Sequence, residues 1–401
     1  MFEINTYGTL VVATLVLLTG RKLVKWLPVL NKYTIPEPIV GGLCAAIILF
    51  VLKLTGDIEV HFDTSMKDPM MLAFFATIGL NANLAKLKAG GKALVLFFLV
   101  VIIFLFVQNV VGIGVATFLG IDPLLGLIGG SITMSGGHAT GAAWADIFTN
   151  RYGLENASEM AVACATFGLI LGGLLGGPIT SYLMKKTPLP ANFEEGIPLP
   201  FEKPEQERAI NSSALIESIA LIVLCLSVGQ YIELLLKGTF FELPSFVCVL
   251  FVGVTVSNLL SALGIYTVFE RAMSTLGNVS LSLFLAIALM TLNLWGLASL
   301  AIPMLIILIV QAIVMALYAI HVTYRVMGRN YDAVVLTAGH CGFGMGATPT
   351  AIANMQAVTN KYGPSHIAFL VVPMVAAFFL DLVNALAIKL FLLLPMFPSP
   401  F

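Results

Sequence analysis

The sequence predicts an all-α polytopic membrane protein built from two inverted repeats of five transmembrane helices, each repeat carrying a re-entrant hairpin. Three observations lead there. Hydrophobic residues make up 59% of the 401 residues and charged residues 10%, with a mean hydropathy of +1.00, against roughly 25% charged residues in a soluble domain. Two glycine-rich polar segments, SGGHATGAAW (135–144) and GHCGFGMGATPTA (339–351), interrupt sequence that is otherwise apolar enough for a bilayer. Landmarks recur between the halves, Pro36 with Pro244, Phe74 with Phe284 and Gly136 with Gly342, at an offset of about 208 residues.

In chain order, apolar runs between charges place spans near 4–23, 37–54, 69–84, 93–119 and 158–183 in the first half. In the second they fall near 212–236, 244–263, 276–293, 298–322 and 367–395. The polar segments occupy hairpins at 123–150 and 333–360. The first apolar run has no basic residue before it, while Arg21, Lys22 and Lys25 follow it. A cleavable signal peptide has the opposite order, so this run reads as a first transmembrane helix with its N-terminus outside.

Alternation of the spans puts 15 of the 20 Lys and Arg residues on the cytoplasmic side, as the positive-inside rule requires. Both termini are then outside. Residues 187–208 carry five prolines and five glutamates, the composition of a solvated cytoplasmic tether. The organisation expected is an N-terminal repeat over 1–185, a linker over 186–210 and a C-terminal repeat over 211–401. An odd number of spans per repeat turns the second copy upside down, so one hairpin enters from each side and their tips meet near the midplane.

Non-helical backbone survives at bilayer depth only packed in protein or lining a wet cavity. The pair of hairpins therefore points to a secondary transporter. Ser135, Gly136, Gly137, His138, Thr140 and Gly141 in the first tip, with Gly342, Gly344, Gly346 and Thr348 in the second, let a ligand approach the backbone. Helix N-termini beside each tip suit a carboxylate, and carbonyls with hydroxyls suit sodium. Thr348, Thr350 and Asn354 supply oxygens for a cation. From the last span Asp381 adds to both sets and Asn384 to the cation set; a midplane carboxylate marks a functional site. Asp381 could bind a substrate ammonium, hold sodium or take a proton; its plainer role is as partner of a hairpin N-terminus or of Lys389.

Other polar residues have simpler readings. Asn81, Gln108, Asn109, Asn258 and Gln311 read as hydrogen-bonding glue between helices. Gly168, Gly172, Gly173, Gly176 and Gly177 read as tight helix contacts. The five cysteines show no CxxC spacing and read as small buried hydrophobes. Neither His138 nor His340 has a neighbour at metal-ligand spacing, and Cys341 beside His340 makes a poor nucleophile and base pair, which argues against an enzyme. A net charge of -1 offers no field for nucleic acid. A channel would need rings of charge that the spans lack. No nucleotide-binding or metalloprotease motif and no organic cofactor site is visible.

The runs DPLLGLIGGSITMSGGHATGAAW (122–144) and AGHCGFGMGATPTAIANMQAVTNKYGPSHIAFLVVPMV (338–375), with KYTIPEPIVGGL (32–43) and DPMMLAFFATIGLNANL (68–84), resemble the bacterial sodium/glutamate symporters from end to end. The resemblance implies a multi-pass inner-membrane carrier that couples L-glutamate uptake to sodium as coupling ion. It also implies a homodimer in membrane lipid, with a transport domain moving against a scaffold in elevator fashion. The family's GGHGTG stands here as GGHATG, with Ala139 at its fourth position.

Overall fold

Long apolar runs leave backbone N–H and C=O groups only one another as partners in hydrocarbon, and the helix is how a single segment pairs them. A computed structural model describes residues 2–32, 35–56, 59–82, 91–188, 210–239, 243–291 and 297–397, and it is helical almost throughout. The first half contains α1 (Thr6–Trp26), α2 (Pro28–Lys32), α3 (Glu37–Gly56), α4 (Lys67–Asn81), α5 (Gly91–Phe118), α6 (Pro123–Leu127), α7 (Gly137–Tyr152) and α8 (Ala157–Met184). The second contains α9 (Ser212–Leu236), α10 (Ser245–Ala262), α11 (Glu270–Met290), α12 (Leu297–Tyr318), α13 (Tyr324–Val326), α14 (Tyr331–Gly344), α15 (Thr348–Tyr362), α16 (His366–Met374) and α17 (Leu380–Leu392). π-helical turns at Ile128–Ile132, Ala319–Thr323 and Val375–Phe379 extend α6, α12 and α16.

Among the described residues, eight helices are long and apolar enough to cross a membrane. The two remaining expected spans take shorter forms. The span expected at 69–84 is α4, of 15 residues, and the chain beyond it at 83–90 lies outside the described residues. The span expected at 367–395 is broken into α16 and α17. Pro373 has no N–H for the helical ladder, and a π turn follows at once. Most of the expected linker, 189–209, also lies outside the described residues.

One feature departs from the all-α expectation. Strands β1 (Phe2–Ile4) and β2 (Val60–Phe62) pair in parallel, Phe2 opposite Val60. The Thr6 hydroxyl and the Ser65 N–H both donate to the Asp63 carboxylate beside them. Those bonds, Thr6's first, hold the Asp63 carboxyl below its ordinary range.

The helices pack as two groups. In one, α4 lies against α10 and α11, α3 against α1 and α11, and α9 against α10. In the other, α8 supports α7, α12, α14 and α15, while α5 supports α6, α12 and α17. Few contacts join the groups, chiefly α7 to α11, α10 to α17, and α4 to the π turn at Val375–Phe379. Two ion pairs also cross: Lys67 to Asp146 at 2.7 Å, and Arg151 to Glu233 at 3.3 Å.

Glycines set the closest contacts in the first group, and the contacts come in matched sets. A Cβ on Gly20 would lie 2.9 Å from the Gly41 nitrogen, and one on Gly229 2.8 Å from Val249 Cα. A Cβ on Gly79 would lie 3.1 Å from Gly253 Cα, and one on Gly42 2.4 Å from Leu289 Cβ. Each pair maps onto its mate at the offset seen in the sequence, with the two halves exchanging roles.

Candidate functional site

Both glycine-rich segments fold as helix, break, helix, by different means. In the first, Asp122 caps α6 by accepting from the Leu124 N–H at 2.8 Å, and Pro123 opens the helix. Gly130 leaves helical geometry at φ -94° and ψ -140°, and α7 restarts at Gly137, whose φ of 68° favours glycine. Ala139, the departure from the GGHGTG pattern, lies inside α7 and is no positive-φ site, so its methyl meets no backbone strain.

The two arms then part. A Cβ on Gly126 would lie 2.5 Å from the Gly112 carbonyl of α5, whereas His138 Nε2 is 3.1 Å from the Thr166 hydroxyl of α8. The first unit is thus an open V with its limbs on different helices.

The second unit is a closed antiparallel pair. Asn330 caps α14 by accepting from the Ala333 N–H at 2.9 Å. At the far end from the tip the Tyr331 hydroxyl donates to the Gly363 carbonyl. Midway, Asn354 Nδ2 donates to the Ala338 carbonyl at 3.3 Å, and nearer the tip a Cβ on Gly342 would sit 2.4 Å from Ala351 Cα. The chain turns at residues 345–347, and α15 begins at Thr348.

The two tips meet, and Gln108 of α5 is the clasp. Its amide donates to the Gly344 carbonyl at 2.7 Å while its oxygen accepts from the Ser135 hydroxyl at 2.6 Å. Gln311 of α12 donates to the Gln108 carbonyl at 2.7 Å. The Gly346 carbonyl lies 3.5 Å from where a Gly137 Cβ would stand. Beneath the second tip, α8 presents Gly168, Gly172 and Gly176 to Met345, Gly342 and Asn354. Gly173 and Gly177 lack such tight contacts, so tight helix packing accounts for three of those five glycines.

The last span reaches the first unit. The half-buried Asp381 accepts from the Thr140 hydroxyl at 3.2 Å, in the first turns of α7, and forms no salt bridge among the described residues. Asn384 accepts from the Ser131 hydroxyl at 2.6 Å and donates to the Ser131 carbonyl at 3.0 Å. The Ser131 N–H in turn donates to Asn109 at 3.0 Å.

The expected residues therefore gather in parts. Ser135, Gly344 and Gly346 meet at the crossing, and Thr140 meets Asp381. Asn354 instead donates to the Gly172 carbonyl at 3.0 Å, on the α8 side, and among the described residues no hydrogen bond joins it to Asp381 or Asn384. Thr348 is half-buried and Thr350 buried beside it on α15. His340 is fully buried among Phe97, Phe104, Tyr318 and Phe343, and its Nδ1 bonds Thr323 at 2.9 Å, a packing role. Among the described residues no cluster of three His, Cys, Asp or Glu stands ready for a metal. Sequence reasoning passed over Ser131, and read Gln108 and Asn109 only as glue. Their signal was a run of polar residues at positions where the neighbouring apolar run should have continued.

Spanning helices around two broken, polar units whose tips meet inside the protein define a membrane transporter of the carrier class. Similarity to known proteins narrows this. The model of the sodium/glutamate symporter family matches residues 2–364, and the chain belongs to that family. It is 64% identical over 399 residues to the sodium/glutamate symporter of Escherichia coli (strain K12), covering 99% of this chain and 100% of that one. The sodium/glutamate symporter of Haemophilus influenzae is 52% identical over 392 residues, covering 97% of each. Among solved structures, a sodium proton antiporter from Methanocaldococcus jannaschii aligns over 94% of this chain and 95% of its own, at 13% identity and a TM-score of 0.43.

Proposed function

We propose that this protein imports L-glutamate across the bacterial inner membrane by symport with sodium, by an elevator-type alternating-access movement. The observation that carries the reading is the meeting of the two broken units at Ser135, Gln108 and Gly344, set in a chain that belongs to the sodium/glutamate symporter family. The matched glycine contacts support two inverted repeats, over 1–185 and 211–401 with a linker between, their broken units re-entering from opposite sides. The sparse contacts between the two helix groups support a division into scaffold and transport bodies. The scaffold, with its exposed apolar faces, would carry the homodimer contact and the surrounding lipid.

Glutamate's carboxylates would meet the N–H groups of the tips around 136–141 and 342–348, with hydroxyls from Ser135, Thr140 and Thr348. His138, Gly137, Gly141, Gly342, Gly344 and Gly346 shape that lining. Sodium would draw on Thr348, Thr350 and Asn354 from α15 and on Asp381 and Asn384 from α17. Asp381 is free of any salt bridge among the described residues and within reach of Thr140, which supports a coupling role.

The membrane potential supplies about 2.3 kcal/mol per charge per 100 mV. A monoanion moved with two or more sodium ions gains from it, and a one-to-one cycle is electroneutral. Counterflow of labelled glutamate in proteoliposomes, with and without sodium, tests the proposal. Sodium-dependent counterflow is expected. Downhill flux without counterflow would indicate a channel, and counterflow of another small carboxylate in preference to glutamate would change the substrate.

A further inference from the structure

Three cations converge where two spanning helices end. Lys186 follows α8, Arg325 lies in α13, and Arg329 stands in the turn that leads to α14. With Tyr182, His321 and Tyr324 they line a cleft of about 430 Å³. Among the described residues no carboxylate lines it, and none of the three cations forms a salt bridge.

The cleft's walls are held in place. Lys186 Nζ donates to the Tyr182 hydroxyl at 2.6 Å and lies 4.3 Å from that ring's centre, leaving its other protons free. Tyr324 donates to the Arg329 carbonyl at 3.1 Å and bonds the Thr187 hydroxyl at 2.7 Å, tying the turn to the end of α8. Arg329 has φ 55°, in the left-handed region that non-glycine residues rarely adopt. Apolar surface adjoins the charges: Tyr182 is 44% exposed, Val326 40% and Leu317 53%. Like charges gathered beside an apolar face, without an acid among the described lining residues to offset them, fit a ligand that is anionic at one end and greasy at the other.

We propose that this cleft binds the phosphate headgroup of an anionic phospholipid in the cytoplasmic leaflet, with the acyl chains along α8 and α12. Two arginines and a lysine match phosphate oxygens, the arginines in bidentate fashion. Basic pockets between spanning helices on the cytoplasmic side are where such headgroups are held. The positive-inside reading of the sequence puts Lys186, Arg325 and Arg329 on that side. The site is separate from the crossing of the two tips, and the transport reading can fail without it.

The test uses the full-length protein in nanodiscs of phosphatidylethanolamine with and without phosphatidylglycerol. Native mass spectrometry counts retained lipid, and thermal unfolding reports folding and ligand protection. Wild type should retain phosphatidylglycerol. K186Q, R325Q and R329Q should each weaken retention about fivefold, and the triple variant about a hundredfold. R325K/R329K, which keeps the charge and loses the bidentate fork, should retain less than wild type and more than R325Q/R329Q, and K25Q, a cation elsewhere on the same side, should match wild type. Equal retention by a folded triple variant, or an equal loss in K25Q, would overturn the site. Inorganic phosphate that protects wild type but not the triple variant in phosphatidylglycerol-free discs would assign the cleft to soluble phosphate and overturn the lipid.

Discussion

Replacing Gln108 by leucine tests whether the meeting of the two tips is held by one residue. Gln108 is fully buried, and its amide makes the two short bonds that join Ser135 to Gly344. Leucine fills a similar volume and makes neither. The Ser135 hydroxyl, already 3.4 Å from the Gly344 carbonyl, can turn to it and rescue one pair. Two short bonds are then replaced by one, with neither group left unmet, a net loss of one hydrogen bond. The expected destabilisation is therefore about 1 kcal/mol rather than the larger cost of an unsatisfied buried group.

Q108L should lower the unfolding midpoint in detergent and slow sodium-dependent glutamate uptake, since the relative placement of the tips depends on this side chain. Q108E sharpens the argument. Its carboxylate still accepts from Ser135 but faces the Gly344 carbonyl with an oxygen, and only the protonated acid can donate there. Its defect should shrink as pH falls, while that of Q108L stays constant. Wild-type stability and uptake in Q108L would refute the clasp, and a Q108E defect with no pH dependence would refute the assigned bond directions.

Other outcomes follow from single contacts. Asp381→Asn should insert and fold normally but lose sodium-driven accumulation; unchanged half-saturation for both sodium and glutamate would take Asp381 out of the site. Gly342→Ala places a methyl 2.4 Å from Ala351 Cα, forcing the arms of the second unit apart; a midpoint shift equivalent to about 1–3 kcal/mol is expected, and wild-type stability would mean the arms are looser than described. Lys67 and Asp146 are 24% and 31% exposed, so a double-mutant cycle with K67M and D146N should show coupling of up to about 1 kcal/mol, whereas zero coupling would leave the pair without a role in joining the two helix groups. Cysteines at Asp63 and Lys186 should react with an impermeant thiol reagent from opposite sides of the membrane; labelling of both from one side would undo the positive-inside assignment.

Hydropathy made the spans legible because burial in lipid demands apolar runs, and glycine with polar residues made the breaks legible because little else tolerates them. An offset close to that from Pro36 to Pro244 also relates two contacts, Gly20 on Gly41 and Gly229 on Val249. The break in the last span was not legible, because a π turn after Pro373 leaves no mark in hydropathy. Partner choice was hidden too. Gln108 looks like any polar residue in an apolar run, and nothing in the spacing of Asn384 reveals that it also bonds Ser131 through its oxygen and amide. Such pairings join residues more than 200 positions apart, beyond what spacing encodes.

Two units that look alike in sequence differ in mechanics. The arms of the second grip each other from Tyr331 and Gly363 to the tip, and where that tip meets α8 it rests on backbone exposed by Gly168 and Gly172. Such a unit is braced within itself, and Asn354, donating to the Gly172 carbonyl, with Leu169, 3.2 Å from where a Gly346 Cβ would stand, keys it to α8. The limbs of the first are seated on α5 and α8 separately, so its tip moves only if those two helices move with it. Of the two walls of the crossing, one is held together chiefly by its own arms and the other by the helices on which they rest.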